Sequence, residues 1–151
     1  MDYEAARAGL EQAIPYNRFI GLEVVEVGEG IGVVRLPEGD NLKNHVGSQH
    51  AGALFSAGEA ASGGAFVGAF AERMGEITPL ARSAEIDYLK IAKGPITATA
   101  RLGEGKAALL ERLDAEGKVE FPVEVELADG EGNKVAQMTV RWHVRAKEQR
   151  A

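Results

Sequence analysis

Residues Asn44–Phe70, NHVGSQHAGALFSAGEAASGGAFVGAF, decide how this chain folds. An irregular polar loop over Asp40–Gln49 leads into one long helix of small and aromatic residues that runs to Phe70. At 100° per residue, Phe55, Glu59, Ser62, Phe66 and Phe70 fall within about a quarter turn, while Ala57, Ala61, Gly64, Ala65 and Gly68 make a side of small residues. Gly52, Gly58, Gly63, Gly64 and Gly68 each cost about 1 kcal/mol against alanine in a helix interior, so close packing or backbone access has to compensate. A curved sheet wrapped around the helix, its backbone close against the small side, supplies that compensation.

The flanking segments read as the strands of such a sheet. Residues 21–30 (GLEVVEVGEG) and 30–39 (GIGVVRLPEG) are valine-rich runs that meet at a glycine-rich turn, a hairpin signal. Thr78 and Pro79 mark the far side of the long helix. Beyond them RSAEIDYLKIA, residues 82–92, alternates with Ala84, Ile86 and Tyr88 on one face and Ser83, Glu85 and Asp87 on the other, which predicts a half-buried strand. Ile96, Ala98, Ala100 and Leu102 alternate likewise. Residues 106–118 have helical spacing and stop at Gly117. Residues 121–145 close the chain as two strands about a glycine-containing turn, with Met138, Val140, Trp142 and Val144 on one face. Residues 1–14 form an N-terminal helix, over Asp2–Ala13, which Pro15 stops and which packs outside. The order predicts one α+β domain over residues 1–151 with a largely antiparallel sheet.

Composition narrows the function classes. The 151 residues are 45% hydrophobic and 26% charged, enough for one well-buried core. A net charge of -6 repels polyphosphate, which argues against nucleic acid and anionic membrane surfaces as partners. Without cysteine there is no disulfide, thiolate metal site or cysteine nucleophile. The N-terminal MDYEAARAGLEQAI lacks the basic start and unbroken apolar run of a signal peptide, so a cytoplasmic protein is expected. Ala51–Phe70 has the length of a membrane span but not the composition, since a central glutamate costs about 2–3 kcal/mol on insertion.

Glu59 therefore shares a stripe with phenylalanines. Burial drives an unpaired carboxylate toward its neutral form unless donors hold it ionised, and either outcome yields a general base or nucleophile beside apolar surface. The alternative is a glutamate bonded to a serine or a backbone amide at a subunit interface. Asn44, His45, Ser48 and His50 crowd the approach to the helix N-terminus, where free N–H groups favour developing negative charge, as an oxyanion hole requires. Ser48 and Gln49 also fit plain capping roles. The spacing of His45, His50 and Glu59 is not that of a helical HExxH site, so no metal is expected. Ser56 lacks the glycine frame of a nucleophile elbow, and His143 reads as a satisfied sheet residue.

The pattern N-x5-H-[AG]-G-x-L-F-x3-E, carried by Asn44, His50, Ala51, Gly52, Leu54, Phe55 and Glu59, resembles the hotdog-fold acyl-CoA thioesterases, closest to the PaaI-like branch. The segment IDYLKIAKG and the strand order are similar as well, so the resemblance spans residues 21–144. It implies a hotdog fold, with a curved antiparallel sheet around one central helix, and hydrolysis of an acyl-CoA or aryl-CoA thioester. Carried over, it implies Glu59 as the catalytic carboxylate, Ala51 as donor of a backbone N–H to the thioester oxygen, Asn44 as a positioning group and His50 as loop support. Gly52, Phe55, Ser62, Gly63 and Lys90 become expected substrate-lining residues, and Lys43, Arg82 and Lys93 further candidate contacts for the polyanionic coenzyme. Gly63 stands where some relatives carry a water-holding threonine or serine. The resemblance also implies a site between two protomers, hence a homodimer or a dimer of dimers, with no cofactor beyond the coenzyme A of the substrate. A non-catalytic acyl-CoA-binding hotdog module is the alternative function, because fold alone does not fix chemistry.

Overall fold

A long helix with one glycine- and alanine-rich side lets strand backbone approach it, and the computed structural model, which describes residues 2–148, is built on that contact. The elements are α1 (Tyr3–Ala13), α2 (Pro15–Phe19), β1 (Glu23–Gly28), β2 (Ile31–Leu36), α3 (Ala51–Phe70), β3 (Ile77–Tyr88), β4 (Ile96–Leu102), α4 (Lys106–Glu116), β5 (Lys118–Ala128) and β6 (Lys134–Ala146), with short 3-10 turns at Asp40–Leu42 and Ala71–Glu76. The six strands make one antiparallel sheet in the order β1-β2-β4-β5-β6-β3, and α3 touches every one of them, the hotdog arrangement expected above.

Gly32 of β2 and Gly64 of α3 meet so closely that a methyl on Gly64 would lie 3.2 Å from the Gly32 Cα. One turn on, a methyl on Gly68 would overlap the Gly28 carbonyl oxygen. The opposite side of α3 carries Phe66 and Phe70, which stack on each other at 5.1 Å and on Trp142 and Phe121 at 5.3 and 5.6 Å. The core is completed by the inward faces of β4, β5 and β6, including Met138, Val140, Trp142 and Val144. α4 ends where Gly117 turns left-handed, with φ 75°, and returns its N–H to the Leu113 carbonyl.

Three expectations change. Pro15 starts a second short helix instead of only stopping the first, because proline suits a first helical position whose N–H has no partner. α1 does more than pack outside. Glu11 accepts the Val24 N–H at 2.8 Å and Arg7 donates to the Val24 carbonyl at 2.9 Å, so α1 covers the free edge of β1. The segment expected as a half-buried strand from Arg82 begins earlier, at Ile77, and is exposed along most of its length, with Ile77 buried and Ile86 half-buried. It lies at the other sheet edge, paired with β6 alone, and α3 barely reaches it, so its faces are left uncovered. That position also tolerates Pro79, which has no N–H to give a second neighbour. No helix among the described residues is long and apolar enough to cross a membrane.

Candidate active site

The loop before α3 is held by its own side chains. Asn44 Oδ1 accepts the Val46 and Ser48 N–H groups at 3.0 and 3.1 Å, while its amide donates to Ser48 Oγ at 2.9 Å and the Gln49 carbonyl at 3.4 Å. Asn44 therefore shapes the loop through nearly all of its polar capacity. Gln49, buried, donates to the carbonyls of Pro37 and Gly94 at 3.0 and 2.9 Å and fastens the loop to the segments beside it.

His50 is the N-cap of α3, its Nδ1 accepting the Gly52 N–H at 2.8 Å, which places the proton of the neutral ring on Nε2. The His50 carbonyl takes the next two donors, Ala53 N–H at 3.0 Å and Leu54 N–H at 3.1 Å. The Ala51 N–H is left without an acceptor among the described residues. Tyr88, at the end of β3, donates its hydroxyl to the Ala51 carbonyl at 3.0 Å, and burial pushes its phenol pKa up. The peptide between Ala51 and Gly52 is thus tied at both ends, its carbonyl by Tyr88 and its N–H by His50, beside the free donor. Ala51, Asn44, Tyr88 and Lys90 line a cavity of about 400 Å³ walled by Leu54, Ile91 and their neighbours.

Glu59 lies two turns along α3. Its carboxylate is half-buried, with no hydrogen bond or ion pair among the described residues, and desolvation raises its pKa above the ordinary 4.5. It opens on a second cavity, of about 190 Å³, whose wall includes Leu10 and Ile14 from the N-terminal segment, Gly63 and Phe66 from α3, Met74 and Trp142. Apart from Glu59 no side chain on that wall titrates. Ser62, expected to line the substrate, is instead fully buried beneath the wall, donating to the Glu59 carbonyl at 2.6 Å and accepting from Trp142 Nε1 at 3.0 Å. Its neighbour Gly63 does reach the cavity, beside Ala60. Phe55 is half-buried against the core, and Gly52 is exposed with its N–H capped.

Within one protomer the candidate residues form two groups. Asn44, Ala51 and Lys90 meet at the first cavity; Glu59 and Gly63 meet at the second. Eight helical steps, about 12 Å along the axis, separate Ala51 from Glu59, and the two line different cavities. Of the other basic candidates, Lys43 pairs with Glu38 and Asp40, Arg82 pairs with Glu120, and Lys93 borders a smaller recess with Lys43. His143 also contacts Glu120, at 3.0 Å. Sequence reasoning passed over Tyr88 and Trp142 as functional neighbours, because each reads simply as the apolar member of an alternating strand. The amphipathic spacing of α1 did carry a signal for Leu10.

A family model described as a domain of unknown function, DUF4442, matches residues 3–144. The chain belongs to this family. A crystal structure of PA5026 from Pseudomonas aeruginosa, described as a protein of unknown function and probable thioesterase, is similar to this DUF4442 chain with a TM-score of 0.84 and 30% identity over 95% of each chain. The putative thioesterase from Shewanella oneidensis gives 0.77 and 19% identity over 95% of this chain and 98% of that one. PaaI from the phenylacetic acid degradation operon of E. coli gives 0.74 and 20% identity over 96% and 94%. At these lower identities the likeness concerns the fold, which is that of the hotdog thioesterases. Among proteins of curated function no sequence match is found.

Proposed function

We propose that this DUF4442 protein hydrolyses an acyl-CoA or aryl-CoA thioester to the free acid and the coenzyme thiol, as a homodimer whose sites each draw on two protomers. The observation that carries the reading is the pairing of a half-buried carboxylate, Glu59, with an N–H at a helix start, Ala51, neither of which has a hydrogen-bonding partner among the described residues. Attack on a thioester carbonyl moves negative charge onto its oxygen, and a fixed amide at the positive end of a helix stabilises that charge without reorganising. Glu59 either takes a proton from the attacking water or itself attacks to form an anhydride that water opens. On both routes a C–O bond forms, the C–S bond breaks, and the thiolate leaves with a proton derived from water.

An axial separation of about 12 Å on one helix, with each residue lining a different cavity, favours an acid from one protomer working with the amide of its partner. The unpaired edge of β3, opposite the edge that α1 covers, favours a second copy as the group that completes the sheet. Lys90, at the rim of the first cavity, is placed to meet phosphate. The test is thiol release from a panel of acyl-CoA and aryl-CoA esters by the purified protein and by Glu59→Gln. Turnover by the parent and a loss of about a hundredfold or more in the variant are expected. Tight binding of the esters with no thiol released by the parent would instead assign a non-catalytic acyl-CoA-binding module.

A further inference from the structure

Most glycines inside α3 lie close against a neighbouring atom. A methyl on Gly58 would stand 2.5 Å from Met138 Sδ, one on Gly64 3.2 Å from the Gly32 Cα, and one on Gly68 inside the Gly28 carbonyl. Gly63 is different. Its backbone is not left-handed, and a methyl there would meet only a ring carbon of Trp142, at 3.9 Å, which is ordinary contact. Packing within the protomer gives no reason for glycine at this position, although glycine weakens a helix relative to alanine. The vacancy opens into the Glu59 cavity, one turn from the acid.

Resting on the thioester reading above, we infer that this vacancy seats the acyl group of the substrate, and that Gly63, with Leu10 and Ile14 across from it, selects an apolar acyl group with the bulk of a single ring. The cavity measures about 190 Å³. A dry apolar cavity of about 150 Å³ accepts benzene, so a ring-sized group fits here and an acetyl group leaves most of the space empty. Phe66, Met74 and Trp142 give the rest of the wall no polar partner to offer, so a charged acyl tail would lose its hydration without compensation. Glu59 at the rim then stands beside the carbonyl to which that ring is attached.

The experiment compares benzoyl-CoA with acetyl-CoA by thiol release. For the parent the ratio of kcat/KM values is expected to favour benzoyl by about tenfold or more, and Gly63→Val is expected to lower that ratio at least about tenfold, with Gly63→Ala between. Gly103→Ala, on a distant loop where a methyl meets nothing within 4 Å, leaves the ratio as it is. An unchanged ratio in Gly63→Val overturns the inference, as does a lower melting temperature in Gly63→Ala, which would make the glycine structural. If gel filtration shows a dimeric parent and a monomeric Gly63→Val, the space belongs to a protomer contact and the inference also falls. If the parent hydrolyses neither ester, the thioesterase reading fails by itself and the cavity is read by calorimetry with the thioethers S-benzyl-CoA and S-methyl-CoA. Tighter binding of the benzyl compound, lost in Gly63→Val, sustains the seat; equal affinities refute it.

Discussion

Replacing Ala51 by proline removes one backbone N–H donor, putting a ring carbon in its place, and tests the assignment of the oxyanion donor. Proline is favoured at a first helical position, and the residue before it must be extended; His50, at φ -65° and ψ 141°, already is. The N–H removed has no acceptor among the described residues, so folding is expected to survive with a melting temperature close to the parent's. Catalysis is not. Loss of a single oxyanion donor costs about a hundred- to a thousandfold in kcat, or roughly 3–4 kcal/mol, and the ring carbon that replaces the hydrogen also obstructs the oxygen's place. Retention of parental kcat/KM would exclude Ala51 as the donor. The same variant reports where the acid comes from. In the proposed dimer, Ala51→Pro and Glu59→Gln, unfolded together and refolded as a mixture, form mixed dimers about half of the time. One of the two sites in each mixed dimer then combines an intact amide with an intact acid from the other protomer, so about a quarter of parental activity should return. If no activity returns while mixed dimers are demonstrably present, the site is not shared between protomers.

Three further outcomes are expected. Tyr88→Phe removes the hydroxyl that holds the Ala51 carbonyl, and kcat should fall about fivefold with KM nearly unchanged and the melting temperature lower by no more than about 2–4 °C, in keeping with a hydrogen bond worth about 1 kcal/mol; a change confined to KM would contradict a positioning role. Gly68→Ala forces α3 away from the Gly28 carbonyl at an overpacking cost of about 1–3 kcal/mol, lowering the melting temperature by several degrees, and a variant that melts at or above the parent would refute the close helix–strand approach. Because burial raises the Glu59 pKa, the folded protein binds a proton at pH values where the unfolded chain has released it, so this group's stabilising contribution is present at low pH and lost as pH rises from 4.5 through the raised value. Urea midpoints measured across that range should show Glu59→Gln lacking this part of the slope, and the acid limb of kcat/KM should lie above 4.5.

Local periodicity in the sequence already determined the central helix, the hairpin, the alternating strands and the presence of an acid on an aromatic stripe. Helix and strand repeats are written in neighbouring residues, and the cost of glycines within α3 already demanded a strand backbone close to them. Tertiary structure decided which of these features meet. Tyr88 reaches Ala51 across 37 residues and Trp142 reaches Ser62 across 80, contacts that no local spacing records. The freedom of the Ala51 N–H follows from a histidine ring and a carbonyl that happen to occupy its neighbours, and the burial of Ser62 follows from a tryptophan laid over it. β3 alternates like any half-buried strand, yet it stays exposed because it lies at the edge of the sheet that the central helix barely reaches. The split between Ala51 and Glu59 has the same origin: a motif aligned in sequence becomes two points on one helix, each lining its own cavity.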